Sequence, residues 1–203
     1  YTGNKETKYN YQNTEYLDGK VKDVLPGKEE QYKKEDVVQK LMEIYNLNRA
    51  LFEENNQNFG GCQYLLKDIS SEFWRAVYAG CIHTKLLLRN INKRYFKDEN
   101  TGIQSWCSDL YSMQLNLWRI GRKTQTPDFM SFAWATDPIE MWDKRIIYHD
   151  AGAMKGTLLF NKREIKYTNN WCSPFLEDLS WVGSKHCSYN YVKEIEEAKS
   201  SFQ

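Results

Sequence analysis

Gln104-Ser105-Trp106-Cys107-Ser108-Asp109-Leu110-Tyr111-Ser112-Met113-Gln114-Leu115-Asn116-Leu117-Trp118 is the stretch that separates two kinds of pattern in this chain. Trp106, Leu110, Met113 and Leu117 recur at three- and four-residue spacing, while Ser105, Asp109, Ser112 and Asn116 fall on the other side. That period predicts an amphipathic helix whose polar stripe carries a single acid.

Working upstream, helical patterns dominate. Ser70-Ser71-Glu72 opens a helix that carries Phe73, Val77, Cys81 and Leu88 and ends near Tyr95. Before it, Gly60-Gly61 leads into Cys62 to Leu66, a short apolar run that suits a buried strand. Val37, Val38, Leu41, Ile44 and Tyr45 predict one helix, and Leu47, Leu51 and Phe52 a second, stopped by Asn55 to Asn58. Residues 1 to 34 show no apolar period and are broken by Leu25-Pro26-Gly27, so they read as a polar extension or surface loops. Residues 35 to 203 read as one domain.

Downstream the pattern becomes strand-rich: Phe129 to Trp134, Lys144 to His149, Thr157 to Phe160 and Glu164 to Tyr167, with Asn161-Lys162-Arg163 turning the last two into a hairpin. A closing helix from Ser188 to Ala198 is expected, capped by its serine. Helices and strands in this order predict an α/β or α+β fold, a mixed sheet packed with helices.

Bulk composition excludes several classes. The chain has 203 residues, and 28 Lys plus Arg nearly balance 27 Asp plus Glu, so no strong field exists to attract nucleic acid. No apolar run approaches the roughly 20 residues that span a bilayer, and Tyr1 to Asn10 are polar, which predicts no membrane span, no signal peptide and a cytoplasmic location. Five scattered cysteines without a C-x-x-C pair read as reduced thiols, Cys81 and Cys107 as small hydrophobes on helix faces.

Three places carry possible chemistry. In Phe59-Gly60-Gly61-Cys62-Gln63, paired glycines let a backbone approach a ligand closely, though alone they also read as a tight turn. Asp109 lies near a helix start among aromatic residues, where a carboxylate is stabilised and is able to act as a base toward a hydroxyl; an ordinary first-turn aspartate looks the same. Ile146-Ile147-Tyr148-His149-Asp150-Ala151-Gly152 reads as a strand ending in a histidine, which suits either a metal ligand or a hydrogen-bonded loop entrance. His83 and His186 have no motif around them and read as surface or structural.

Taken in order, these motifs resemble the later, acceptor-side half of glycosyltransferases of the GT-A fold. Phe132-Ala133-Trp134-Ala135-Thr136-Asp137-Pro138-Ile139 and the run from Tyr148 to Gly152 are also similar to stretches of uncharacterised bacterial glycosyltransferases. The resemblance covers residues 59 to 192. It implies that Gly60, Gly61 and Gln63 lie against the donor sugar and that Asp109 deprotonates the acceptor hydroxyl. It further implies that His149 helps to hold a divalent metal, Mn or Mg, and that Trp106, Tyr111 and Trp134 offer faces to sugar rings. The implied partners are a nucleotide-sugar donor and a carbohydrate acceptor. With seven tryptophans to bury, each of those aromatic residues reads first as core.

The family's Asp-x-Asp motif has no counterpart, its Glu-Asp pair stands here as Ser108-Asp109, and residues 1 to 58 hold too few strands for the nucleotide-binding βαβ half. The resemblance therefore implies either a fragment of a longer enzyme, with the donor-binding half supplied upstream, or a reduced homologue. In the second case the expectation is a non-catalytic carbohydrate-binding or interaction module.

Overall fold

The computed structural model describes residues 14–60, 63–154, 156–162 and 174–201. The chain divides into two compact units, residues 1–128 and 129–203. Among the described residues the fold is mixed and helix-rich with one small parallel sheet, within the α/β or α+β class. No helix among them is long and apolar enough to cross a membrane.

In the first unit the polar segment before Glu35, expected as extension or loops, is helical over much of its described part. Helix α1 (Thr14–Gly19) buries Leu17 and α2 (Glu29–Glu35) buries Tyr32. The Tyr32 hydroxyl donates to the Leu17 carbonyl at 2.8 Å, and its ring meets Tyr95 and Phe96 edge-on. Helices this short bury one large side chain each, so they leave no apolar period to be read.

Asp36, at φ 43°, breaks the chain between α2 and α3 (Val37–Ile44) and caps α3 by accepting from the Gln39 amide at 3.0 Å. Helix α4 (Arg49–Glu54) follows, capped by Asn48. The expected strand at 62–66 is not formed over its described residues 63–66, where only Tyr64 makes a bridge.

Two longer helices organise this unit. Helix α5 (Ser71–Tyr95) starts as read, with the Ser70 hydroxyl accepting from the Phe73 amide at 3.3 Å. It buries Phe73, Val77, Gly80, Thr84, Leu88, Ile91 and Tyr95, a stripe of helical period. Helix α6 (Ser108–Arg119), preceded by a 3₁₀ turn over Ser105–Cys107, packs on α5. Its buried face differs from the expected one: Tyr111, Leu115 and Trp118 enter the core, and so do Ser108, Ser112, Gln114 and Asn116, while Trp106 is 70% exposed. The reason is Gly80, which lets α6 approach α5 with its small polar side chains facing inward. Phe52, Phe59, Tyr111 and Trp118 join rings at the centre of the core.

In the second unit, β1 (Phe132–Trp134) and β2 (Ile147–His149) pair in parallel, with Phe132 opposite Ile147, Ala133 opposite Tyr148 and Trp134 opposite His149. They occupy the C-terminal halves of the expected strands 129–134 and 144–149. Thr157 to Phe160 is not a strand: the chain bends over 157–159, and the Thr157 amide and hydroxyl both donate to the Met154 carbonyl. Glu164 to Tyr167 lies outside the described residues, and with it the expected hairpin.

Helix α7 (Cys187–Ser201) is longer than expected, and Ser188 lies inside it, buried, its hydroxyl accepting from the Phe160 amide at 2.7 Å. Backbone hydrogen bonds join 135–139 to 185–188, and the His186 ring meets the Thr136 carbonyl at 2.9 Å, a structural role. Phe160, Leu179, Val182, Val192 and Ile195 make this unit's core. Cys107 and Cys187 are buried, Cys107 as expected with its thiol donating to the Gln104 side chain, whereas Cys81 is half-exposed beside the Ser108 hydroxyl.

Candidate functional site

The glycine segment is entered from Phe59, whose ring is wedged against Phe52, Tyr111 and Trp118 in the core of the first unit. Gly60 is buried behind it and Gln63 is half-buried, while Gly61 lies outside the described residues. An anchored aromatic residue immediately before a glycine holds the start of the segment in place.

Asp109 is exposed in the first turn of α6, three residues after exposed Trp106. A carboxylate there sits at the positive end of the helix dipole, which favours its ionised form, the form that accepts a proton. Tyr111 is a correction. It is fully buried, burial drives its hydroxyl well above the usual tyrosine range, and its ring packs on Phe59, so it offers no face to a ligand.

In the second unit the strand register does what spacing alone did not reveal. Trp134 and His149 are register partners, and Phe132 lies beside both, giving a three-ring cluster with centroids 4.8 to 5.1 Å apart. Phe132 is buried, whereas Trp134 and His149 are half-buried. Burial, and then the Lys162 charge, pushes the imidazole below its ordinary pKa, so His149 is neutral at neutral pH. The chain then turns: the Ala151 amide donates to the His149 carbonyl at 2.7 Å, and Gly152 adopts φ 87° with the Thr136 side chain 3.4 Å from where its Cβ would stand.

The sequence reading missed the neighbours of this cluster. Asp150 is half-buried; burial raises its pKa, opposed by Lys162 and by the Tyr148 hydroxyl 3.5 Å away. Tyr148 stacks on Tyr191 at 4.8 Å, and its ring centroid lies 5.3 Å from that of Trp142. The signal available was the alternation Phe132-Ala133-Trp134, which puts both aromatic rings on one strand face.

A neutral imidazole is the form that binds a metal. Among the described residues, however, no three His, Cys, Asp or Glu side chains stand together as a metal-binding group. His149 supplies one imidazole donor of the kind a divalent metal takes.

No protein-family model, curated protein or solved structure matches the chain.

Proposed function

We propose that this chain is the acceptor-side part of a glycosyltransferase of the GT-A type, acting on a nucleotide-sugar donor and a carbohydrate acceptor in the reducing cytoplasm. The observation that carries the reading is the pairing of Trp134 with His149 across β1 and β2. It sets a half-buried indole and a neutral imidazole side by side in the two segments that resemble the family. An aromatic face beside a polar ring is the usual composition of a sugar subsite, where C–H groups stack on the ring and hydroxyls bond to the polar neighbour.

In this reading Asp109 is the base. The acceptor oxygen attacks the anomeric carbon, the bond to the nucleoside diphosphate breaks, and the acceptor proton passes to the Asp109 carboxylate. In the first unit Trp106 guides the acceptor ring, and Gly60, Gly61 and Gln63 approach the donor; in the second, His149 beside Trp134 positions a sugar hydroxyl or serves as one ligand of a divalent ion. Tyr111 acts only by holding Phe59 and the base of the glycine segment.

The second reading, a non-catalytic carbohydrate-binding module, is favoured by the exposure of Trp106 and by the missing Asp-x-Asp motif. One experiment separates the two. The chain is incubated with a panel of radiolabelled nucleotide sugars and mono- and disaccharide acceptors, with and without Mn and Mg, and transfer is followed for the natural sequence and for Asp109→Asn. Transfer that falls by about 100-fold or more in the variant supports the enzyme. Sugar binding that perturbs the Trp134 indole, survives Asp109→Asn and is accompanied by no transfer supports the module. Neither transfer nor sugar binding removes both.

A further inference from the structure

The geometry points to a binding groove for a small amphiphilic anion, a single phosphate or carboxylate carried on an apolar body, in the first unit between residues 65–69 and the end of α6. The cavity measures about 540 Å³. That is within the range of small-molecule sites, about 300 to 1,000 Å³.

Its floor is apolar. Leu66, Ile69 and Leu117 belong to a small satellite core with Phe73 and Val77 at the start of α5. Its rim is cationic: Lys67, Arg122 and Lys123 line it, and among the described residues no acidic side chain does. Such an excess is local, because the chain as a whole carries a net charge of only +1.

The cations are placed by the backbone. Helix α6 ends at Arg119, and beyond its cap Ile120 the chain is closed by Gly121, φ 73°, with the Gly121 amide donating to the Trp118 carbonyl at 2.9 Å and the Arg122 amide to the Leu117 carbonyl at 2.9 Å. This paired closure turns the chain sharply and delivers Arg122 and Lys123 over the Leu117 floor. The Arg122 guanidinium is held to the opposite wall, donating to the Asp68 carbonyl at 3.2 Å. A fixed guanidinium loses little freedom on meeting an anion. Below it the Thr124 hydroxyl is engaged by Gln114 and by the Trp118 indole, at 2.6 and 3.0 Å, which makes the far end of the groove rigid.

The charge and the floor together specify the ligand class. A bare anion would leave Leu66 and Ile69 uncovered, and a neutral apolar molecule would leave the cations uncompensated. The inference is independent of the transferase reading, since no residue assigned to that reading lines the groove.

The test uses the full chain, titrated separately with octyl phosphate, inorganic phosphate, octan-1-ol and octyltrimethylammonium, each kept monomeric, while the amide resonances of Leu66, Arg122 and Lys123 are followed. Octyl phosphate is expected to bind at least about tenfold more tightly than either fragment of it, and the Arg122→Ala/Lys123→Ala variant to lose about tenfold of that affinity while binding octan-1-ol as before. Both positions are exposed, so the variant keeps its fold, which its unfolding temperature verifies. Equal binding of the cationic analogue, an unaltered affinity in the variant, shifts confined to other residues, or binding seen only with vesicles of an anionic lipid would each overturn the assignment.

Discussion

Gly80 of α5 and Ser112 of α6 stand so close that a Cβ built on Gly80 would lie 2.5 Å from the Ser112 hydroxyl oxygen. The same Cβ would meet the Tyr45 ring at 2.6 Å. Ser112 is itself tied to α5, donating to the Val77 carbonyl at 2.6 Å, and Tyr45 is tied to Thr84 at 2.7 Å. Neither neighbour is free to retreat.

Gly80→Ala is therefore expected to lower stability, although alanine is the better helix former by about 1 kcal/mol. Overpacking a close helix crossing costs about 1 to 3 kcal/mol, which wins. Ser112→Ala removes one of the two contacts, so the double variant is expected to recover part of the loss. Urea unfolding of the three proteins checks this, and a Gly80→Ala variant as stable as the natural chain would refute the packing argument.

Asn92 clips the end of α5 to the segment before α6. Its amide nitrogen donates to the Ile103 carbonyl at 2.7 Å and its oxygen accepts from the Ile103 amide at 2.9 Å, both buried. Asn92→Ala strands a buried donor and acceptor and is expected to cost about 2 to 4 kcal/mol. Asn92→Asp keeps one bond and is expected to lie below the natural protein at neutral pH. Amide exchange at Ile103 should quicken in both; unaltered protection there would contradict the clip.

Glu35 joins three elements: it pairs with Lys40 and Arg94 and accepts from the Tyr95 hydroxyl at 2.6 Å. Burial works to raise its pKa, but the hydrogen bonds from Lys40 and Tyr95 and the charges of Lys40 and Arg94 outweigh it and hold the carboxyl below its ordinary value. A depressed carboxyl contributes stability above its unfolded pKa of about 4.3 and loses it as pH falls through the folded value. Glu35→Gln should be less stable at pH 7, with the gap closing in acid. A constant gap from pH 7 to pH 3 would show that the charge is not responsible.

His149 has the opposite chemistry and the same sign. Its folded pKa is depressed below 6.5 by burial and by Lys162, so the unfolded chain takes up a proton first as pH falls. Its contribution is full above about 6.5 and is lost as pH drops toward the folded value. The ring proton titration, followed by NMR, should have its midpoint below 6.5, and His149→Phe should flatten the stability profile between pH 7 and pH 5. A midpoint at or above 6.5 would mean that the ring is more solvated than its three-ring cluster implies.

Legibility was uneven across the chain for physical reasons. The Ser70 cap and the run of α5 were readable because capping and a sustained period of 3.6 are local properties. The strands around Trp134 and His149 were found at their C-terminal ends only, since three paired residues are too few to set a clear alternation. Of the proposed site, Asp109, Trp106, Trp134 and His149 are accessible or half-accessible, whereas Tyr111 is core. An aromatic residue in an amphipathic helix looks the same in either role until its partner is known.

By itself the sequence determined that this is a mixed helix-and-strand chain with balanced charge, a long capped helix from Ser70 and a histidine at a strand end. Those follow from propensity, capping and charge count, which act over a few residues. Only the tertiary structure decided which face of α6 is inside, that the polar residues 14–35 supply Leu17 and Tyr32 to the core, and that Trp134 stands beside His149. Each depends on what packs opposite. A glycine at position 80 on another helix turned the serine-rich face of α6 inward, and parallel register brought together two residues fifteen positions apart.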